Sequence, residues 1–163
     1  MFRKMRRKNQ QLSREEAIGI LQTCPTGILG LIDDDDYPYT VPLNYVYGDD
    51  KLFFHCAKEG HKIDGMRKND KVTFCVVEQD EVVPKAFATK YRSVVVFGRA
   101  RILTDDAEKR DALERLVEKY SPDYREEGRH AIEKEWNLVC VVEIRIEHVT
   151  GKTAIKGVMD MER

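Results

Sequence analysis

His55, Cys56 and Ala57 close an apolar run, Gly60 follows two polar residues later, and His61 and Lys62 come next. A phosphate site needs backbone N–H groups free of sheet pairing, a small residue that lets the anion approach, and a fixed cation at its rim. The end of a strand at residues 55–57 and the glycine loop before Lys62 supply all three. Lys62 also opens a short basic helix over 62–69, whose N-terminal dipole adds to the attraction for an anion. The bland alternative is a solvated helix-start lysine.

Other reactive groups nearby carry two readings each. His55 at a strand end could donate a proton to a bound substrate, although a histidine on a barrel strand more often satisfies a buried hydrogen bond. Cys56 has a cation and a helix start close by, which lower a thiol pKa, yet such cysteines are mostly small packing residues. Trp136, the only tryptophan, either covers a ligand or packs a barrel mouth. Tyr37, Tyr39, Tyr45 and Tyr47 could stack bases, but their alternation with apolar residues favours barrel packing. His130 and His148 have no partner at useful spacing.

The acidic run Asp33 to Asp36 reads as a solvated turn without the spaced oxygen ligands and glycine of a calcium loop, so no metal is expected. Cys24, Cys56, Cys75 and Cys140 are far apart in sequence, with no C-x-x-C pair, so neither a zinc knuckle nor a dithiol motif is written and reduced thiols are expected.

The elements that must hold these groups follow from patterning. Ser13 and Glu16 have capping-box spacing and Pro25 forbids continuation, giving a helix over 14–23. A β run covers 27–32. Residues 40–47 form a strand that Gly48-Asp49-Asp50 turns into Leu52-Phe53-Phe54, and Pro42, which cannot donate to a ladder, marks an edge, a bulge or a place where the sheet opens. Further strands cover 72–77, 91–103 and 138–146. The strand over 91–103, which follows a weakly patterned stretch around Pro84, contains Gly98 as a bend, and its Val94-Val95-Val96-Phe97 centre is expected to be buried on both faces. Asp105 and Glu108 cap a helix over 106–120. Roughly six strands with two or three helices and no βαβ alternation make the chain mainly β (α+β), an antiparallel barrel with peripheral helices, in a single domain over 1–163 with a basic arm over 1–12.

The chain has 28 basic and 29 acidic residues, a net charge of −1, so it lacks the positive field that non-specific nucleic-acid binding needs. Arg3, Lys4, Arg6, Arg7 and Lys8 crowd the start but read as a solvated, flexible arm. No stretch has the roughly 20 apolar residues of a bilayer helix, and no signal-peptide core follows the basic start, so a cytoplasmic protein without nucleic-acid or membrane partners is expected.

The ordered set Pro42 to Tyr47, His55-Cys56-Ala57, Gly60-His61-Lys62 and Asn69-Asp70, with Met5-Arg6-Arg7-Lys8, the strand Tyr91-Arg92-Ser93-Val94-Val95, Gly98-Arg99-Ala100 and Glu108-Lys109-Arg110, resembles the pyridoxamine 5'-phosphate oxidase-like FMN-binding split barrels, and within them the nitroimidazole-reductase (NimA-type) branch. The resemblance runs from about residue 5 to 157. It implies a six-stranded antiparallel split β-barrel that binds FMN at a homodimer interface and passes electrons from NADH or NADPH to a small electron-poor acceptor such as a nitroaromatic. By resemblance, Lys62 pairs with the phosphate, His61 stands where related oxidases have arginine, and Cys56 and Ala57 offer N–H groups. Val41, Pro42, Leu43 and Asn44 line the ring, His55 is the catalytic candidate, and Tyr91 and Ser93 reach the partner's flavin, with Trp136 as a further partner group. Cys56 replaces a serine and Asp70 a proline, both of which weaken the match, and His61 makes the loop charge depend on pH near neutrality. A flavin-binding module without turnover, or a barrel for haem or another phosphorylated ligand, stays open. A pyridoxamine-phosphate oxidase proper is disfavoured because the tail 151–163 carries no arginine-rich motif.

Overall fold

The computed structural model describes residues 1–155, so the last part of the tail, 156–163, lies outside the described residues. Four α-helices and seven strands follow in the order α1 (Arg14–Thr23), β1 (Thr26–Ile32), β2 (Pro38–Asn44), β3 (Val46–Gly48), β4 (Lys51–Ala57), α2 (His61–Lys68), β5 (Lys71–Val83), β6 (Ala88–Ile102), α3 (Asp106–Tyr120), α4 (Arg125–Glu135) and β7 (Val139–Thr153). All strand pairings are antiparallel, in the order β2-β1-β5-β6-β7-β4-β3.

The two edge strands of this sheet, β2 and β3, are separated in the chain by Tyr45 alone. The sheet must therefore curl until its edges nearly meet, which makes it an unclosed, or split, barrel. The extra strand relative to the expected six arises here. The alternating run 40–47 is not one strand: β2 pairs with β1, and β3 pairs with β4, because the chain changes partner at Tyr45. Pro42 lies on the edge strand, as its missing N–H requires.

Helix α1 starts with the expected capping box, in which the Ser13 hydroxyl accepts from Glu16 N–H and the Glu16 carboxylate accepts from Ser13 N–H. Its buried Ala17, Ile20 and Leu21 plug the barrel together with Leu29, Phe54, Phe74, Val76, Val94, Val96, Val142 and Ile144. Val94 and Val96 are fully buried, but Val95 and Phe97 sit half-exposed on the outer face, so the centre of β6 is buried on one side only. The register between β6 and β7 slips at Gly98, where the bend was expected. The region around Pro84 is the tip of a long β5–β6 hairpin, with Phe87 left-handed (φ 46°) and wholly exposed. A tip has no inward face to pattern, which is why the sequence there looked weak.

Helix α4 had no strong signal, since only Ile132 of it is buried. It packs with α3 over β3, β4 and β7, burying Val46, Phe53, Leu103, Ala112, Leu113, Leu116 and Val141. Among the described residues, no helix covers the outer face of β1, β2, β5 and β6. Among the described residues, none of the helices is long and apolar enough to cross a membrane.

Candidate functional site

Ladder geometry identifies which backbone groups are left over. In an antiparallel pair, a residue whose N–H and C=O bond to one neighbour points nothing at the other. Leu103 N–H donates to Val141 O, so odd-numbered residues here on β7 face β6 and even-numbered ones face β4. Phe54 and Cys56, opposite Val142 and Cys140, take the ladder bonds, while the N–H groups of His55 and Ala57 point away from β7. Beyond Phe53 no strand among the described residues lies on that side, because β3 pairs only with residues 51–53.

The same reasoning applies to β2. Asp33 N–H donates to Tyr37 O, so Tyr39, Val41 and Leu43 bond to β1, and Thr40, Pro42 and Asn44 aim their backbone groups outward. Extending the β3–β4 register backwards would set Asn44 opposite His55 and Pro42 opposite Ala57. Since β2 instead follows β1, the two edges diverge into a wedge with its apex at Tyr45. Unpaired N–H and C=O groups along both sides demand a partner, from solvent or from a ligand.

Helix α2 closes the wide end. Gly60 enters it with φ 120°, a conformation that L side chains rarely adopt, and its carbonyl accepts from Ile63 and Asp64, so the N–H groups of His61 and Lys62 have no partner within the helix. Gly65 lets the helix lie on β1, where a Cβ would come within 3.0 Å of Ile32 O. Lys62 is half-buried and has no ion-pair partner among the described residues. Its charge reaches the Cys56 thiol.

His61 is differently occupied. Its Nε2 lies 2.8 Å from Asp33 Oδ2 and 3.8 Å from Asp34 Oδ1, and its ring packs on Tyr39 with centroids 4.3 Å apart. Asp33 is buried, not solvated: its carboxylate accepts the N–H groups of Asp35 (3.0 Å) and Tyr37 (2.8 Å) and thereby folds the acidic turn. Burial opposes its charge, but Tyr37, His61 and Asp35 outweigh that and hold the carboxyl below its ordinary value. Asp33, Asp34 and His61 are the metal-compatible group among the described residues, and all three are accounted for by this turn-to-helix clamp.

Val41 and Leu43 turn their side chains toward the core, whereas Pro42 and Asn44 are exposed; the Asn44 amide donates to Pro25 O at 2.9 Å. The His55 ring points the opposite way from the barrel interior, into a cavity of about 480 Å³ walled by Leu113, Leu116, Val117, Ile132 and Val139, with Ser121 and Tyr124 at its rim. Cys56 faces inward, and burial pushes its thiol up to about 11, so little of it is thiolate at neutral pH.

The remaining candidates are elsewhere. Ser93 pairs with Lys152, and Tyr91 donates to Gln10 Oε1 (3.1 Å) under the Lys152 ammonium. On β6, Ser93 is nine positions from Ile102, the residue level with the His55 end of the sheet, or roughly 30 Å at about 3.3 Å per residue. One chain cannot bring Lys62 and Ser93 to the same ligand atom group. Trp136 is held in its own chain between Lys109 (4.4 Å) and Arg110 (4.8 Å). Phe2 stacks on His148 at 4.8 Å, so the basic arm is anchored at its tip.

A feature the sequence hid is the knot below the apex. The half-buried Lys119 ammonium donates to Cys24 O (2.8 Å) and Tyr45 O (3.0 Å), and the Tyr120 hydroxyl accepts from Tyr45 N–H at 3.0 Å while lying 2.6 Å from the Pro25 and Tyr45 carbonyls. These two residues of α3 satisfy the backbone at the point where the chain leaves one edge for the other. In sequence they read only as the end of an amphipathic helix, with Tyr120 on its apolar stripe beside Leu113, Leu116 and Val117.

The sequence profile described as pyridoxamine 5'-phosphate oxidase matches residues 13–153. Among solved structures, a candidate 5-nitroimidazole antibiotic resistance protein from Bacteroides thetaiotaomicron is 24% identical, with 87% of this chain and 85% of that chain covered and a TM-score of 0.71. A FAD-binding protein from Mesorhizobium loti is 28% identical over 89% and 97%, with a TM-score of 0.65. A FAD and haem binding protein from Mycobacterium smegmatis is 24% identical over 89% and 73%, with a TM-score of 0.77. No curated protein matches the chain.

Proposed function

This chain belongs to the pyridoxamine 5'-phosphate oxidase family, and on that premise we propose that its wedge holds a flavin nucleotide, FMN, across a homodimer interface, and that the protein reduces small electron-poor acceptors such as nitroaromatics. The observation that carries the reading is the convergence of two half-paired strand edges on an unpaired, half-buried lysine and the open first turn of α2. When bound, the flavin supplies the hydride and electron transfer, with NADH or NADPH as the donor.

The chain's own residues bind and orient. Lys62 and the N–H groups of His61 and Lys62 suit a dianionic phosphate, and the N–H groups of His55 and Ala57 suit hydrogen-bond acceptors along the wedge. The clamp between His61 and Asp33 fixes the start of α2. A second copy is called for by two features: Tyr91 and Ser93 sit at the far end of the sheet, and the uncovered outer face displays Ile28 (40% exposed), Val77 (49%), Pro42, Cys75 and Val95. The cavity beside His55 is apolar and of a size for a flat acceptor, with the imidazole placed to donate a proton to it.

The test is release of any chromophore from purified protein by denaturation, with mass identification, beside FMN titration of a Lys62→Ala variant. Loss of a charge-assisted contact should cost on the order of 1.5–3 kcal/mol, or roughly tenfold to a hundredfold in affinity. Unchanged affinity puts the phosphate elsewhere. Absence of NADH or NADPH oxidation with every nitro and quinone acceptor, in flavin-loaded protein, leaves a binding module without turnover. A second reading, FAD with or without haem, is favoured by what the Mesorhizobium and Mycobacterium proteins are named for. Mass separates FMN from FAD, and a red-brown colour reveals haem.

A further inference from the structure

Cys56 and Cys140, 84 positions apart in sequence, are register partners on β4 and β7. Both side chains pack into the same inward-facing core, and each perturbs the other's ionisation. The spacing argument that found no paired thiols fails because the pair is made by the sheet. Directly opposed residues of a hydrogen-bonded antiparallel pair have Cα atoms about 5.5 Å apart, inside the roughly 4.4–6.8 Å window of disulfides.

Access comes from one side. Cys140 lines a cavity of about 340 Å³ together with Lys58, Arg67, Lys109 and Trp136. Lys58, Arg67 and Lys109 outnumber Asp106 on the same wall, which favours an approaching molecule that carries carboxylates, and all three act against the burial that holds the Cys140 thiol up. Val139 is the one lining residue it shares with the cavity beside His55.

We infer that Cys56 and Cys140 form a redox-active pair that closes to a cross-strand disulfide by exchange with an anionic low-molecular-weight disulfide. The Cys140 thiolate attacks one sulfur of the small disulfide, breaking its S–S bond and releasing one thiolate, which takes up a proton. The Cys56 thiolate then attacks the Cys140 sulfur of the mixed disulfide and expels the second small thiol. Two protein thiols lose two protons and two electrons, and one small disulfide becomes two thiols. A cross-link between directly opposed strand residues is a strained one, which makes it reducible and so reversible. Burial raises both thiols above their ordinary values, so closure is slow at neutral pH and accelerates as pH rises. This inference does not rest on flavin binding.

The experiment equilibrates the full chain with excess oxidised glutathione, alkylates remaining thiols and maps peptides without reduction. The expected result is a Cys56–Cys140 linked peptide with Cys24 and Cys75 still alkylated, formed about tenfold faster per pH unit between pH 7 and 9 as the thiolate fraction grows, and reversed by reduced glutathione. In Cys56→Ser a glutathione adduct should accumulate on Cys140. The inference is overturned if Cys56 and Cys140 both remain alkylatable, if the wild type stops at a glutathione adduct, or if the links involve Cys24 or Cys75. The wild-type map decides alone should the variant fail to fold.

Discussion

The two flanks of the barrel are treated in opposite ways. Over β3, β4 and β7, helices α3 and α4 bury an apolar layer and α3 sends Lys119 and Tyr120 into the seam, so backbone and side chains alike are satisfied within the chain. Over β1, β2, β5 and β6, nothing among the described residues covers Ile28, Val77, Pro42 or Val95, or pairs with the outward groups along the edge of β2. An apolar sheet face without a cover is a request for a partner. The wedge lies at the boundary between the finished flank and the unfinished one, where the proposed dimer would share its ligand.

The contrast is tested hardest by truncation. Leu116→Ala, on the covered flank, should lower unfolding stability by about 2–5 kcal/mol, whereas Ile28→Ala, on the bare flank, should stay within about 0.5 kcal/mol for an isolated chain; paired urea titrations at a concentration where the protein is monomeric give both numbers. If the bare face is an interface, Val77→Asp should convert a dimer to a monomer in sedimentation while leaving the circular dichroism spectrum unchanged. A monomeric wild type would remove the comparison altogether.

Next in size is the seam. Lys119→Met removes the donor to two partly buried carbonyls and should cost about 1–3 kcal/mol, read as a lower denaturant midpoint with flavin affinity retained. A loss confined to flavin binding would assign Lys119 to the site instead.

Acid sensitivity compares two carboxylates. Asp33 in the wedge clamp and Glu143, which burial opposes but Lys51 (2.8 Å) and Arg101 (3.0 Å) stabilise, both have carboxyls held below their ordinary values. A depressed folded pKa means that the stabilisation is complete above the ordinary carboxylate range and is lost as pH falls through the folded values. The fall should begin below about pH 4.5. Asp33→Asn with Glu143→Gln should be less stable at pH 7 and flatter in its acid dependence; an unchanged slope would show that other carboxylates govern acid unfolding. The smallest effect is expected at Arg125–Glu118 on α3 and α4, more than half exposed on both sides, where Arg125→Ala should leave the denaturant midpoint nearly unchanged, and the more so in high salt.

Much of the site was legible locally. The capped first helix, the Gly60 loop and the cation beginning α2 depend on residues adjacent in sequence, and Pro42 announced an edge because a missing N–H is a property of one residue. The acidic turn was misread for the complementary reason: Asp33 looks solvated until a turn and a distant histidine close over it. Likewise the run 40–47 alternates like one strand, and nothing in it says that the chain changes partner at Tyr45, since that follows from which edges the curled sheet brings together.

The sequence by itself determined the antiparallel strand content, the helix starts and stops, the phosphate-suited loop and the family likeness, because each is written in short-range pattern or in the order of motifs. Tertiary structure alone decided the wedge between β2 and β4, the Lys119 seam, the separation of Ser93 from Lys62 and the meeting of Cys56 with Cys140. All four depend on pairing and curvature among strands remote in sequence, and a period-two pattern records which face a side chain takes but not which neighbour its strand will find.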